Sequence, residues 1–417
     1  MNALSLHTLR SSITSSAAAF RCRRKLQPAG GPGDKVFPPT FAGAVYAVEQ
    51  RRVPGRPDPV MCVVLDTVQS QANRMELALQ DAFDAGNLKV PILQVDFTPW
   101  SPTGDVEADK AANRLVDAVG KITSLQVPHR LADAILRDCE IEEELDGNKL
   151  KVPFRRSAKG KALNTVGPLN ATALYQLCPT ALVFGMWDST GPKGGLGAKF
   201  ERAMVSEVVG VGASIHDSHR ARGVRRDPLE VRAAVKILKA ADKSWSLAEP
   251  KAKGAEAPSA VNHSSVPFES ENAGTTIEYA EQLTTLSLIV LRRLRFPLNG
   301  NGSPETDAAG RTVLAALGLC AATLASESGM GLRSRCLLWP EGPMTWELLA
   351  KPGETPQTFS LTGAEAIQLL KDAIAAATTA GLPWEEKPVV LQPQAKLVEL
   401  VRLSQLEATK ESSEGSN

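Results

Sequence analysis

An α+β fold is predicted by two strand-and-helix units, one early and one late in the chain. The first opens at Val60–Leu65 (VMCVVL), a β-branched run of the kind a buried strand shows. Ser70 to Ala85 follows, where Ala72, Met75, Leu79 and Phe83 recur at helical spacing, and Val90–Phe97 is the next strand. In the second unit Thr312–Ala325 reads as a helix containing the run LAALGLCAATLA. Gly329–Trp339 (GMGLRSRCLLW) then turns through glycines into a strand, and Thr345–Ala350 is another. Strands and helices grouped this way suit a ferredoxin-like sheet interrupted by large insertions.

The remaining segments are assigned around that frame. From Met1 to Gly33 the chain has no acidic residue, has serine runs, and carries Arg10, Arg21, Arg23 and Arg24. That composition mimics an organelle transit peptide. A helix and a strand are the preferred reading, because FRCRRKLQPAGGPGDKVFPPTF runs straight into apparently folded sequence. Val127–Arg137 and Ala162–Tyr175 read as helices. Thr180–Phe184 (TALVF) reads as a strand delivering the chain into a glycine-dense loop, and Ala198–Val209 as the helix after it. Ser246–Thr276 is rich in Pro, Ala, Ser, Lys and Glu, so it reads as a flexible insertion or protruding element. Ile277–Phe296 is apolar with a basic end. Ala364–Ala376 and Lys396–Glu407 are expected to be peripheral helices, and the polar tail 410–417 to be disordered. No internal repeat is visible.

Bulk composition bounds the function. The 417 residues are 43% hydrophobic and 22% charged, an ordinary globular balance. A net charge of +1 and a pI near 7.6 mean that any polyanion surface is regional. Cys22, Cys62, Cys139, Cys178, Cys320 and Cys336 are scattered without a CxxC or zinc spacing, which fits buried thiols in a reducing cytoplasm. No uninterrupted apolar run reaches the ~18 residues of a membrane span. A cytoplasmic protein without a membrane partner is expected.

The most informative stretch is Trp187–Arg202 (WDSTGPKGGLGAKFER), with IHDSHRARGVRR following at Ile215. Glycines let backbone N–H groups approach an anion closely, and arginines supply planar, permanently charged forks for phosphate. Nucleic acid is the expected polyanion. Two nucleotide motifs fail. A P-loop needs Gly-Lys followed by Ser or Thr, and here Lys199 stands between Ala198 and Phe200. The Rossmann pattern puts a third glycine where Phe200 lies. His216, Asp217 and His219 form no HExxH or carboxylate cluster, and the other histidines (His7, His129, His263) are isolated. No catalytic set, metal or cofactor is therefore expected. Gln71, Asn73 and Arg74 open the first helix, where polar residues either cap it or hold a backbone phosphate. Arg333 and Arg335 alternate on one strand face, as an RNA platform or as solvated edge arginines. Aromatics are 5% of the chain, so binding should rest mostly on backbone contacts and be weakly sequence-specific.

QPAGGPGDKVFPPTF, the SQANRME helix start, the block FGMWDSTGPKGGLGAKFERAMVSEVVG and GLRSRCLL resemble the type I-G (formerly I-U) CRISPR-associated RAMP proteins. These are backbone subunits of Cascade, the seventh Cas family, and the resemblance covers roughly residues 20–349. It implies a modified RRM or ferredoxin-like palm with inserted fingers and thumb. Residues 1–245 would be the N-terminal palm with fingers and glycine-rich and basic loops. Residues 246–276 would be a thumb or finger, 277–350 the C-terminal palm, and 351–409 peripheral helices. It further implies partners: CRISPR RNA, a target DNA strand through the guide duplex, other Cascade subunits, and copies of itself in a helical filament. The implied RNA contacts are Lys35, Gln71, Asn73, Arg74, Ser189, Thr190, Lys193, Lys199, Arg202, Arg220, Arg222, Arg225, Arg226, Arg333 and Arg335. Asn262 and His263 would reach toward the duplex. The alternative is a RAMP endoribonuclease using Asp217.

Overall fold

The computed structural model describes residues 2–42, 45–145, 147–188, 198–215, 229, 231–232, 234–240, 244–249, 251–261, 263 and 274–414. In chain order its principal elements begin with α1 (Leu6–Thr14), β1 (Ala19–Pro28), β2 (Val48–Arg51), β3 (Val60–Asp66) and α2 (Val68–Asp84). Then come β4 (Leu93–Asp96), β5 (Lys121–Thr123), β6 (Cys139–Leu145), β7 (Asn148–Pro153), β8 (Met204–Val211) and β9 (Tyr279–Ser287). The last are α3 (Pro304–Glu327), β10 (Met330–Arg333), β11 (Cys336–Pro340), β12 (Thr345–Leu349), β13 (Gln357–Ser360), α4 (Gly363–Thr379), β14 (Val389–Pro393) and α5 (Ala395–Glu414). The fold is α+β.

The larger sheet has ten strands, running from a short N-terminal strand at Asn2–Ala3 through β13, β12, β1, β9, β8 and β3 to β2. Only the Asn2–Ala3 pair with β13 is parallel. β12 pairs with the first half of β1 and β11 with its second half, so two strands share one edge, and β10 pairs onto β11. The basic stretch FRCRRKL is explained by strand alternation. Phe20, Cys22, Arg24 and Leu26 point into the core, while Arg23 and Lys25 are exposed on the opposite face. There Arg21 pairs with Glu347 and Arg23 with Glu281.

α3 is the central helix. Its residues 312–323 are all buried, it packs against α1, α2 and α4, and it rests on the sheet. Gly318 allows this close approach: a Cβ there would meet Met204, Leu286 and Val183 at 3.2–3.3 Å. By length and composition α3 also passes for a membrane span, but 83% of its apolar window is buried inside the protein. A helix apolar all round is what a fully enclosed core helix needs. α4, expected at the periphery, buries Leu369, Leu370, Ala373 and Ala377 beside α3. The smaller sheet runs β7-β6-β14-β4-β5, with β14 parallel to β4 and antiparallel to β6.

Several expectations are overturned. Residues 198–209 are not a helix: Lys199–Phe200 is a short strand and β8 follows, alternating inward Met204 and Ser206 with outward Val205 and Glu207. Thr180–Phe184 is a buried one-turn helix instead of a strand, ended by Gly185 at φ 81°. The helix expected over 127–137 is a 3-10 turn at Arg130–Ala132 and a short helix at Ala134–Arg137. That over 162–175 is split into Ala158–Leu163 and Thr172–Leu177. Ile277–Phe296, apolar with a basic end as read, is not among them: it comprises β9 and a short helix, Leu288–Arg292. α5 continues through residue 414.

Within the segment expected to protrude, Val261 and His263 are buried, as is Trp245 just before it. Trp245 belongs to a hairpin of Lys236–Lys239 with Trp245–Ala248. Asp138 anchors this region. It accepts hydrogen bonds from Trp245 Nε1 and His263 Nε2 at 3.2 Å and from Arg137 at 3.0 Å, and Lys396 lies 3.5 Å away. Burial works to raise the Asp138 carboxyl, but the His263 hydrogen bond and Arg137 outweigh it and hold the group well below the usual carboxylate range.

Candidate nucleic-acid interface

α2 starts directly after β3, and Thr67 caps it by accepting a hydrogen bond from the Ser70 amide. Its first two turns present different faces. Gln69 and Asn73, four apart, lie on one side, whereas Gln71 and Arg74, three apart, lie on another. Gln69 Nε2 donates to Asn73 Oδ1 and to the Pro128 carbonyl, each at 3.0 Å, and its Oε1 accepts from Arg202 Nη2 at 2.8 Å. An arginine held by a neutral amide keeps its full charge for another ligand.

Opposite Gln69, Met186–Trp187 pairs with Lys199–Phe200, placing Trp187 directly across from Lys199. Met186 and Phe200 are buried, which turns Trp187 and Lys199 outward. The Lys199 ammonium lies 5.8 Å from the Trp187 ring centroid. These residues, with Pro128, His129 and Arg130, line a cleft of about 560 Å³. The one carboxylate among its described lining residues, Glu201, is paired with Arg293 at 2.6 Å.

Buried contacts anchor the cleft wall. Arg130 is buried, with Nε 2.7 Å from Glu76, Nη1 donating to the Gly185 carbonyl at 3.2 Å, and its guanidinium over Phe184. Burial pushes the Glu76 carboxyl above its usual range, against the opposing pull of Arg130. Burial, and then the charge of Arg130, lower the pKa of Arg202. Gly185 is required here: at φ 81° a Cβ would meet Arg202 Cγ at 2.8 Å.

A second basic cluster lies on the other side of α2. Asp66, fully buried, accepts from Gln71 Nε2 at 2.7 Å, Arg74 Nε at 2.9 Å and Arg333 Nη2 at 3.2 Å. Arg74 also donates to the Gly331 and Leu332 carbonyls, and Arg333 to the Phe37 carbonyl at 3.1 Å. Burial pushes the Arg333 pKa down. Arg335 does not share a strand face with Arg333: it sits in the β10–β11 turn at φ 57°. Its guanidinium stacks 4.5 Å from the Phe37 ring centroid, and Lys35 approaches the same ring at 5.7 Å. Lys35 and Arg335 are exposed.

The structure thus brings Asn73, Lys199 and Arg202 to the cleft side of α2, and Lys35, Arg74, Arg333 and Arg335 to the other side. Gln71 is buried between sheet and helix, bonded to Asp66, Ser206 and Gln282. Ser189, Thr190, Lys193, Arg220, Arg222, Arg225 and Arg226 lie outside the described residues, as do His216, Asp217, His219 and Asn262. His263 faces Asp138, inside the protein. Sequence reasoning missed Gln69, Arg130, Trp187, Phe37 and Asp66. Trp187 alone had a signal, an aromatic immediately before a glycine-rich basic run. All six cysteines are free and buried, and no group of three His, Cys, Asp or Glu side chains suited to a metal occurs among the described residues.

Residues 20–215 match the family model described as CRISPR-associated protein GSU0053 (Cas_GSU0053). That stretch is similar to a CRISPR-associated protein family. It contains every described residue lining the cleft, together with Lys35, whereas Arg333 and Arg335 lie beyond it. No curated protein matches the chain in sequence.

Proposed function

We propose that the protein is a CRISPR RNA-binding backbone subunit of a type I Cascade, gripping the guide backbone and presenting its bases to target DNA. The observation that carries this reading is the cleft, where Lys199, Arg202 and Trp187 face a space with no unpaired carboxylate among its described lining residues. The CRISPR-associated match over the same residues supports it. In this reading Lys199, Arg202 and Asn73 meet the RNA on one side of α2, and Lys35 and Arg335 on the other. Arg74, Arg333 and Gln71 hold the frame between them. Base pairing, not side chains, then reads sequence, and the palm is the ten-stranded sheet with α2 and α3. Copies of the chain follow one another along the guide.

Co-purification tests this directly. The chain is expressed with its neighbouring genes and a CRISPR array, and the nucleic acid that elutes with it is sequenced. Repeat-derived RNAs protected in a multi-copy particle are the expected result. Nucleic-acid-free protein would overturn the reading.

A further inference from the structure

We infer that the cleft takes one unstacked nucleotide of a single strand, its base on the Trp187 indole and its phosphate against Lys199 and Arg202. The inference rests on the RNA-binding reading above and adds to it a base-stacking contact. Trp339 is more exposed than Trp187, 73% against 57%, but of the two Trp187 lines the cleft beside Lys199 and Arg202; Trp245 and Trp346 are 5% exposed or less. Leaving so large an apolar surface in water forgoes the stabilisation that burial brings. The exposure is built in, because the Met186–Trp187 ladder with Lys199–Phe200 sends the two alternate side chains, Met186 and Phe200, into the core. An aromatic plane thereby lines the cleft.

The chemistry around that plane selects the occupant. Lys199 stands 5.8 Å from the ring centroid, and Arg202 is oriented by Gln69 with its charge unneutralised by that contact. An aromatic face flanked by cations is the combination that single-stranded nucleic acid uses, since every base has a π-face and every nucleotide a phosphate. Bases inside a duplex are already stacked and cannot supply that face. The 560 Å³ of the cleft fits one small ligand, pockets for which span about 300–1,000 Å³. That is room for one nucleotide. The glycine at 185 keeps Arg202 in place, because a side chain there would strike its Cγ.

The test uses the full chain, a labelled single-stranded RNA, and the same RNA with abasic residues. Trp187→Ala should weaken binding of the intact RNA roughly 5- to 150-fold, the loss expected for one stacked base. Trp187→Phe should retain most of the affinity. On the abasic strand the wild type should bind more weakly and the Trp187→Ala loss should disappear. The salt slope should be unchanged in Trp187→Ala but fall by roughly 0.7 in Lys199→Ala, which removes a phosphate contact. Equal affinities of wild type and Trp187→Ala for intact RNA would overturn the inference and leave the RNA-binding reading standing. So would an equal loss on intact and abasic strands, which would make Trp187 a structural support. If Trp187→Ala does not fold, the wild type still decides: indifference to the missing bases overturns the stacking contact. A wild type that binds no RNA removes the RNA-binding reading itself.

Discussion

The two basic clusters flanking α2 are built on opposite principles. On one side Arg74 and Arg333 converge on the buried Asp66 and on backbone carbonyls, so their charge is consumed inside the fold. On the other side Arg202 is held by the neutral Gln69, and Lys199 lies over an indole, so their charge faces outward. Arginine type alone does not separate these cases. What an arginine's first hydrogen bond meets, a carboxylate or an amide, decides whether it staples the protein or waits for a phosphate.

The sharpest way to break the comparison is Asp66→Ala. It leaves two guanidiniums and the Gln71 amide without their shared acceptor, and should cost roughly 3 kcal/mol in urea unfolding. A loss below about 0.5 kcal/mol would mean that Arg74 and Arg333 are not held by Asp66.

A third cluster extends the argument to acid. Asp138 has a depressed carboxyl, so its contribution is complete above the unfolded-state value of about 3.9 and is lost as pH falls toward the folded value. Denaturant midpoints should decline below about pH 4, and proteolysis should then appear between residues 245 and 263. Asp138→Asn should flatten that decline. An unchanged acid response in the variant would assign the loss to other carboxylates.

The smallest effect on stability, and the most telling on binding, belongs to the double variant Lys199→Ala/Arg202→Ala. Unfolding should shift by no more than about 0.5 kcal/mol. The slope of log affinity for single-stranded RNA against log salt should fall by roughly 1.4, about 0.7 for each contact. Should Arg74→Ala produce the same fall in slope, the division between staple and site collapses.

Much of the frame was legible because its signals are local. VMCVVL followed by a helical repeat gives β3 and α2, and LAALGLCAATLA gives the buried α3. The errors came where short apolar runs carry no period. TALVF is too brief to separate a strand from one turn of buried helix. MVSEVVGV alternates as a strand, and its valines favour one, but the glycines before it suggested a helix start. The site was legible in kind but not in detail. Asp66 at a strand end and Arg130 in a turn look like surface residues, and only the tertiary structure buries them together with Gln71 and Glu76. Long-range partnerships of this type, such as Arg333 with Asp66, leave no trace in spacing.

β14 has a consequence for synthesis. It lies between β6 and β4, with Val389–Leu391 beside residues 93–95 and Gln392–Pro393 beside residues 139–140. Its partners therefore leave the ribosome roughly 250 to 300 residues earlier, long before the strand that joins them. At ~5–20 residues per second, the smaller sheet stays divided for tens of seconds while the chain is being made. Any truncation that removes the last 30 residues leaves it divided for good.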